Sequence, residues 1–228
     1  MAKEKQTETR TSIDELNETL NSVVEEKVIN NKKPILLAVL AIVVVAIVVM
    51  AVVNMRKAGA EAANTAIGQA DLELMQGNDS IALDMYKSVA DNEGYDAGNR
   101  ASLEAAILLY KKGDYEQALN YVEKYSPSEE VVGAASYSLK GDCLVNLDRY
   151  EEAIAAFEEA IATSGDNEFY TPLFMIKQAN VYRELKNYEK EAAVYEKIKS
   201  EYPAYCATYG FNVEKYIERA KASAAQAQ

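Results

Sequence analysis

Residues 35–53 read ILLAVLAIVVVAIVVMAVV, nineteen consecutive apolar residues without one charge. As a helix this run is about 28 Å long, close to the ~30 Å hydrocarbon thickness of a bilayer. Valine and isoleucine favour strand in water, but a strand of this length is far too long for a globular core. In lipid the backbone has to satisfy its own hydrogen bonds, so helix wins. Thirty-four residues precede the run, and Arg56 and Lys57 follow it almost at once. Neither feature suits a cleaved signal peptide. The expectation is a retained transmembrane helix over 34–55, with 35–53 in the membrane. The run has no ionisable residue to mark an ion pathway, and no glycine or small-xxx-small pair to mark a dimer seam. Its expected role is anchoring.

Orientation rests on a small charge bias. Lys27, Lys32 and Lys33 lie before the run, and Arg56 and Lys57 lie after it. Three against two favours a cytoplasmic N-terminus. Residues 1–33 then form a cytoplasmic tail, polar and expected to be disordered over 1–11. Ser12 and Glu15 have the spacing of a capping box, and Ile13, Leu16, Leu20, Val24 and Val28 follow as one apolar stripe. The opposite face carries Asp14, Glu15, Glu18, Glu25 and Glu26, which does not suit anionic lipid. Two readings stand for this short helix: docking to a partner at the membrane surface, or simply leading into the span.

Several chemistries are excluded by composition. The chain has no histidine, so His-based general base catalysis, a Ser-His-Asp triad and His-ligated zinc are absent. Two cysteines are too few for a CxxC metal site or a disulfide scaffold. With 36 acidic residues against 24 basic ones, the chain lacks the basic stripe of a nucleic-acid binder. No Gly-rich phosphate loop or nucleophile motif is present. The expectation is a non-enzyme without cofactor, metal, nucleic acid or small-molecule substrate.

From residue 56 to 228 apolar residues recur at helical intervals, and the sequence repeats. Gly113-Asp114-Tyr115-Glu116-Gln117-Ala118-Leu119 is echoed by Asp148-Arg149-Tyr150-Glu151-Glu152-Ala153-Ile154, then by Lys186-Asn187-Tyr188-Glu189-Lys190-Glu191-Ala192. A weaker copy is Gly77-Asn78-Asp79-Ser80-Ile81-Ala82-Leu83. These blocks resemble tetratricopeptide (TPR) repeats, in which each unit is a hairpin of helices A and B. The clearest copy, about 134–166, has Gly141 in helix A, Tyr150 at the turn, and Ala153, Phe157 and Ala160 in helix B. The fourth keeps Ala179, Tyr182, Tyr188, Tyr195 and a closing Pro203, but has Glu191 where the family prefers alanine. The second keeps Ala106 and Ala118 and ends in Tyr125; the first keeps Ala70, Ala82 and Tyr86. The resemblance implies an all-α solenoid of about four hairpins, closed by a capping helix with Val213, Tyr216 and Ile217. Residues 222–228 are expected to fray.

TPR stacks bind protein segments on the face lined by the A helices. The resemblance places there Arg100, Leu103, Ile107 and Tyr110, then Ser138, Asp142 and Val145, then Ile176, Asn180 and Arg183. The alternative for each is a side chain that only solvates this face. Some TPR domains clamp a C-terminal carboxylate with Lys and Asn; here those positions include Asp71, Ile107 and Asp142, and two carboxylates would repel an anionic chain end. From residue 56 onward 29 acidic residues face 18 basic ones, which favours basic or neutral partners but also serves solubility alone. The tyrosines at Tyr86, Tyr137, Tyr182 and Tyr195 read as core with a wet edge. Whether Cys143 and Cys206 pair is left open.

A tail, one span and degenerate TPR hairpins follow in order. With the connector Asp166-Asn167-Glu168-Phe169 and the segment YEKIKSEYP at 195–203, the chain resembles the bacterial ancillary Sec translocon subunits. Membership would imply a single-pass inner-membrane protein with a periplasmic TPR domain. Its partners would be the SecYEG channel and a membrane-anchored periplasmic chaperone of the prolyl-isomerase type. The alternatives are a TPR adaptor for envelope biogenesis unrelated to Sec, and a cytosol-facing protein like the outer-mitochondrial import receptors.

Overall fold

The structure is a computed structural model that describes residues 17–22, 32–92 and 96–227. Among these residues every regular element is a helix: α1 (Lys32–Met75), α2 (Asp79–Asn92), α3 (Asp96–Lys112), α4 (Tyr115–Lys124), α5 (Glu130–Asn146), α6 (Tyr150–Thr163), α7 (Tyr170–Glu184), α8 (Tyr188–Glu201), α9 (Pro203–Tyr209) and α10 (Val213–Gln226). The chain divides into two units, Met1–Ala58 and Gly59–Gln228.

In the first unit, residues 17–22 are helical and exposed, Leu20 among them. The rest of the amphipathic helix expected from Ser12 to Val28 lies outside the described residues. The apolar run is helical, and its large side chains from Leu36 to Met55 are 44–74% exposed. A helix that is apolar all round and covered by no protein is long and apolar enough to cross a membrane. The helix does not stop at residue 55; its later residues, as far as Met75, belong to the second unit and form the first helix A.

The second unit is four hairpins, α1/α2, α3/α4, α5/α6 and α7/α8, followed by α9 and α10. Every hairpin turns in the same way. Gly77, Gly113, Asp148 and Lys186 hold positive φ of 82°, 83°, 57° and 56°. The next residue's N–H reaches back to the fifth carbonyl before it: Asn78 to Glu73, Asp114 to Leu109, Arg149 to Leu144 and Asn187 to Tyr182, all at 2.8–3.0 Å. This is the Schellman closure, which satisfies carbonyls left open at a helix end. The Asp114 and Asn187 side chains then accept the backbone N–H of Gln117 and Lys190, capping the next helix.

The small repeat positions are where helices meet. Ala70, Ala82, Ala106, Ala118, Ala153, Ala160 and Ala179 are fully buried. Gly141 lies against the Phe157 ring, where an added Cβ would come within 2.7 Å of Cε1. One core runs from α1 through α6 and takes in Val181, and a second joins α7 to α10 through Met175, Tyr195, Ile198 and Ile217. Tyr86, Tyr182 and Tyr195 are buried, and Tyr137 is half-buried.

The C-terminal end differs from expectation in two ways. A short extra helix, α9, stands before the cap, begun by Pro203 and stopped by Gly210 at φ 62°. The cap α10 does not fray at 222 but stays helical to Gln226. Ser223 and Ala224 in its last turns are half-buried.

Candidate functional site

The A helices lie in sequence order, and one polar bridge spans each junction between them. Between α1 and α3, Arg100 donates to Asp71 at 2.8 Å, while the Tyr86 hydroxyl donates to the other oxygen of the same carboxylate at 2.5 Å. Between α3 and α5, Asn146 donates to the Tyr110 hydroxyl at 3.5 Å. Between α5 and α7, Lys177 donates to the Ser138 hydroxyl at 2.9 Å and also pairs with Asp142. Beyond these, the Tyr195 hydroxyl donates to Asn180 at 3.4 Å and Arg183 pairs with its neighbour Glu184.

The expected binding residues therefore fall into three groups. Arg100 is exposed; Leu103, Ile107, Tyr110, Asp142, Val145, Ile176, Asn180 and Arg183 are half-buried. Leu103, Tyr110 and Val145 rest on the first core and Ile176 on the second, so each offers an edge to solvent. Ser138 is a correction: it is buried and serves as an acceptor for Lys177 instead of facing a ligand. A second correction concerns charge. Asp71 and Asp142 were expected to stand as free carboxylates that repel an anionic chain end. Each is instead held by a cation from the next hairpin, so the face is much closer to neutral than its acidic residues suggest.

Burial pushes the Asp142 carboxyl above its ordinary range, and Lys177 pulls it back down. Burial also raises the phenols of Tyr110 and of Tyr86, the latter further by its hydrogen bond to Asp71. Lys177 and Asn146 carry two of the three bridges, and sequence reasoning missed both. Lys177 follows Ile176 by one place and Asn146 follows Val145 by one, so polar neighbours of the groove positions were the available signal. Among the described residues, no group of three Cys, Asp or Glu could hold a metal ion. Cys143 and Cys206 are both free thiols. The face offers solvent-exposed edges of apolar side chains between paired charges, an arrangement suited to docking protein.

The comparisons with known proteins agree with this architecture. The tetratricopeptide repeat-like domain model matches residues 45–183, and a tetratricopeptide repeat model matches 175–205. The mouse tetratricopeptide repeat protein 21B is 29% identical over 102 residues, which is 44% of this chain. The match spans only 8% of that relative's length. Residues 41-end of MamA from Desulfovibrio magneticus share 21% identity at a TM-score of 0.52, covering 72% of this chain and 92% of MamA's. The C-terminal part of a TPR repeat-containing protein from Cytophaga hutchinsonii shares 15% identity at a TM-score of 0.52, covering 69% of this chain and 58% of that one. These solved structures speak to the fold alone. With more than half its length matched by one model, four like-turned hairpins and alanine or glycine at most of the close contacts between helices, the chain belongs to the tetratricopeptide repeat-like domain family.

Proposed function

We propose that this protein is a non-enzymatic, membrane-anchored TPR scaffold, an ancillary subunit of the bacterial Sec translocon. Its apolar helix crosses the inner membrane, its N-terminus is cytoplasmic and its TPR domain is periplasmic. The A-helix face engages a membrane-anchored periplasmic chaperone, or an emerging polypeptide, beside SecYEG. The observation that carries this reading is the start of the family match at residue 45, inside the apolar run. The match takes in residues 45–53 of the apolar run together with the repeats as far as residue 183, as expected if they work as one unit. The exposure of that helix supports the anchor, and the neutralised, partly apolar A-helix face supports a protein partner.

The test is crosslinking in living cells, mild-detergent purification of the tagged protein, and identification of the captured proteins by mass. SecYEG and a periplasmic chaperone should be recovered, and Ile107→Asp or Arg183→Glu should weaken the chaperone's recovery. Envelope enzymes without any Sec subunit would overturn the translocon assignment and leave a TPR adaptor. Topology is read separately, by protease access in intact spheroplasts. Protection of the TPR domain would overturn the periplasmic placement and favour a cytosol-facing receptor.

A further inference from the structure

A chain of aromatic rings lies at the other end of α7 from Arg183. Phe169 starts it, about 21 Å from Arg183 along the helix axis at 1.5 Å per residue. Asn167 accepts the backbone N–H of Phe169 and Tyr170 at 3.1 and 2.9 Å. Thr171 bonds both the Ser164 hydroxyl and the Gly165 carbonyl at 2.9 Å. The connector is thus held on both sides of the Phe169 ring. That ring lies 4.9 Å from Tyr170, 5.2 Å from Tyr209 and 6.1 Å from Tyr205, and Tyr205 lies 4.9 Å from Tyr209. Tyr205 is buried, while Phe169 is 37% and Tyr209 57% exposed. Helix α9, which carries Tyr209, has no charged residue.

Among the described residues four rings, Tyr121, Phe157, Tyr182 and Tyr216, carry a cation of the chain itself. Lys124 sits 4.4 Å over Tyr121, Lys190 5.3 Å over Tyr182 and Arg219 5.0 Å over Tyr216. Among the described residues no cation lies over Phe169 or Tyr209. Asp166 and Glu168 stand just before Phe169 in the connector, and both are exposed. Burial raises the Tyr202 phenol, a Thr171 hydrogen bond opposes this, and Glu201, Asp166 and Glu168 all push it up. Glu201 is paired with Lys197 at 3.8 Å. Asp166 and Glu168 have no ion-pair partner among the described residues.

We infer that the Phe169–Tyr209 patch is a docking surface, separate from the A-helix face, for an extended protein segment bearing arginine or lysine. A guanidinium can stack on an open ring face while a carboxylate neutralises it, an arrangement Arg serves better than Lys. Two fixed rings also cost little side-chain ordering on binding. The inference stands apart from the Sec assignment, because it rests on different residues and needs no translocon.

The test uses the full chain in a neutral detergent and two fluorescein-labelled peptides read by anisotropy. One is Gly-Arg-Pro-Arg-Gly repeated twice; the other has glutamine for each arginine. The arginine peptide should bind more tightly. Phe169→Ala with Tyr209→Ala should lower its affinity about tenfold, the equivalent of 1.4 kcal/mol. Glu168→Gln with Asp166→Asn should lower it several-fold without removing a ring, and Ile107→Asp should leave it unchanged. Equal affinity for the two peptides, no binding of either, or undiminished binding by the ring variant would overturn the inference. The last result would mean that the acidic chain attracts cations without regard to this patch.

Discussion

Arg219 on α10 donates a charged hydrogen bond to Glu191 on α8, whose side chain is 1% exposed while that of Arg219 is 38% exposed. Glu191 occupies the position that Ala82, Ala118 and Ala153 fill in the earlier hairpins, five residues after the turn residue. A carboxylate there looks like a packing fault. The capping helix answers it with a cation, so the cap and the departure from the repeat belong together. The other oxygen, Oε2, has no partner among the described residues.

Removing Arg219 should strand a buried charge. Arg219→Met is expected to lower stability by about 3 kcal/mol, the low end for breaking a buried pair. Glu191→Ala combined with Arg219→Met restores the alanine of the other repeats and should be neutral or slightly stabilising. Thermal unfolding of the full chain in detergent, followed by circular dichroism, compares the two. Equal losses in both variants would mean that the pair acts only through packing.

Gly141→Ala should destabilise, because its Cβ would fall 2.7 Å from a ring carbon of Phe157, which is 1% exposed and has no room to move. Overpacking of this kind costs about 1–3 kcal/mol. Phe157→Leu creates space at the same spot, so the double variant should lose less than the sum of the single losses. Strict additivity in denaturant melts would disprove the contact as the cause.

Lys177→Met should give a pH-dependent loss. Burial holds the Asp142 carboxyl above its ordinary value and Lys177 counters this, so without Lys177 the carboxyl rises further. A carboxyl raised on folding binds its proton more tightly in the folded state. Its stabilising contribution is full below the unfolded value and is lost as pH rises through the folded one. The gap between variant and parent should therefore be larger at pH 7 than at pH 4.5. A gap that is the same at both values would mean that Asp142 is not the group involved.

Lys186→Gly should stabilise. Lys186 holds φ 56° at the turn where the first two hairpins have Gly77 and Gly113. The left-handed region costs a side-chain-bearing residue about 1 kcal/mol, which glycine avoids. The melting temperature should rise, while the same change at Lys190, inside α8, should lower it.

The two thiols should react in order. Burial pushes Cys143 up to about 12, and Asp142 pushes it in the same direction. Cys206 is raised by burial as well but is half-buried rather than enclosed. Maleimide at pH 8 should label Cys206 in the folded chain and reach Cys143 only after unfolding, as peptide mass mapping would show.

Much of the fold was legible because its signals are local. The turn blocks recur at 36, 35 and 38 residues, and the small and aromatic positions recur in step with them, so helix faces and hairpin closures were readable without a partner. The apolar run declared a helix by length alone. Residues on the A-helix face were readable as positions, as Ile107 and Val145 illustrate, but their neighbours were not. Ser138 carried the same positional signal as Asp142 and proved to be buried.

The sequence by itself determined an all-helical chain, its repeat register and its long apolar helix, because each follows from backbone propensity and periodicity within a few residues. Only the tertiary structure decided which charges are paired. Arg219 meets Glu191 across 28 residues, and Lys177 meets Asp142 across 35. Such pairs depend on how adjacent hairpins stack and on which rotamer spans the gap, and neither leaves a periodic trace. The same reason hid the aromatic patch: Phe169 and Tyr209 become neighbours only when α9 folds back beside the start of α7.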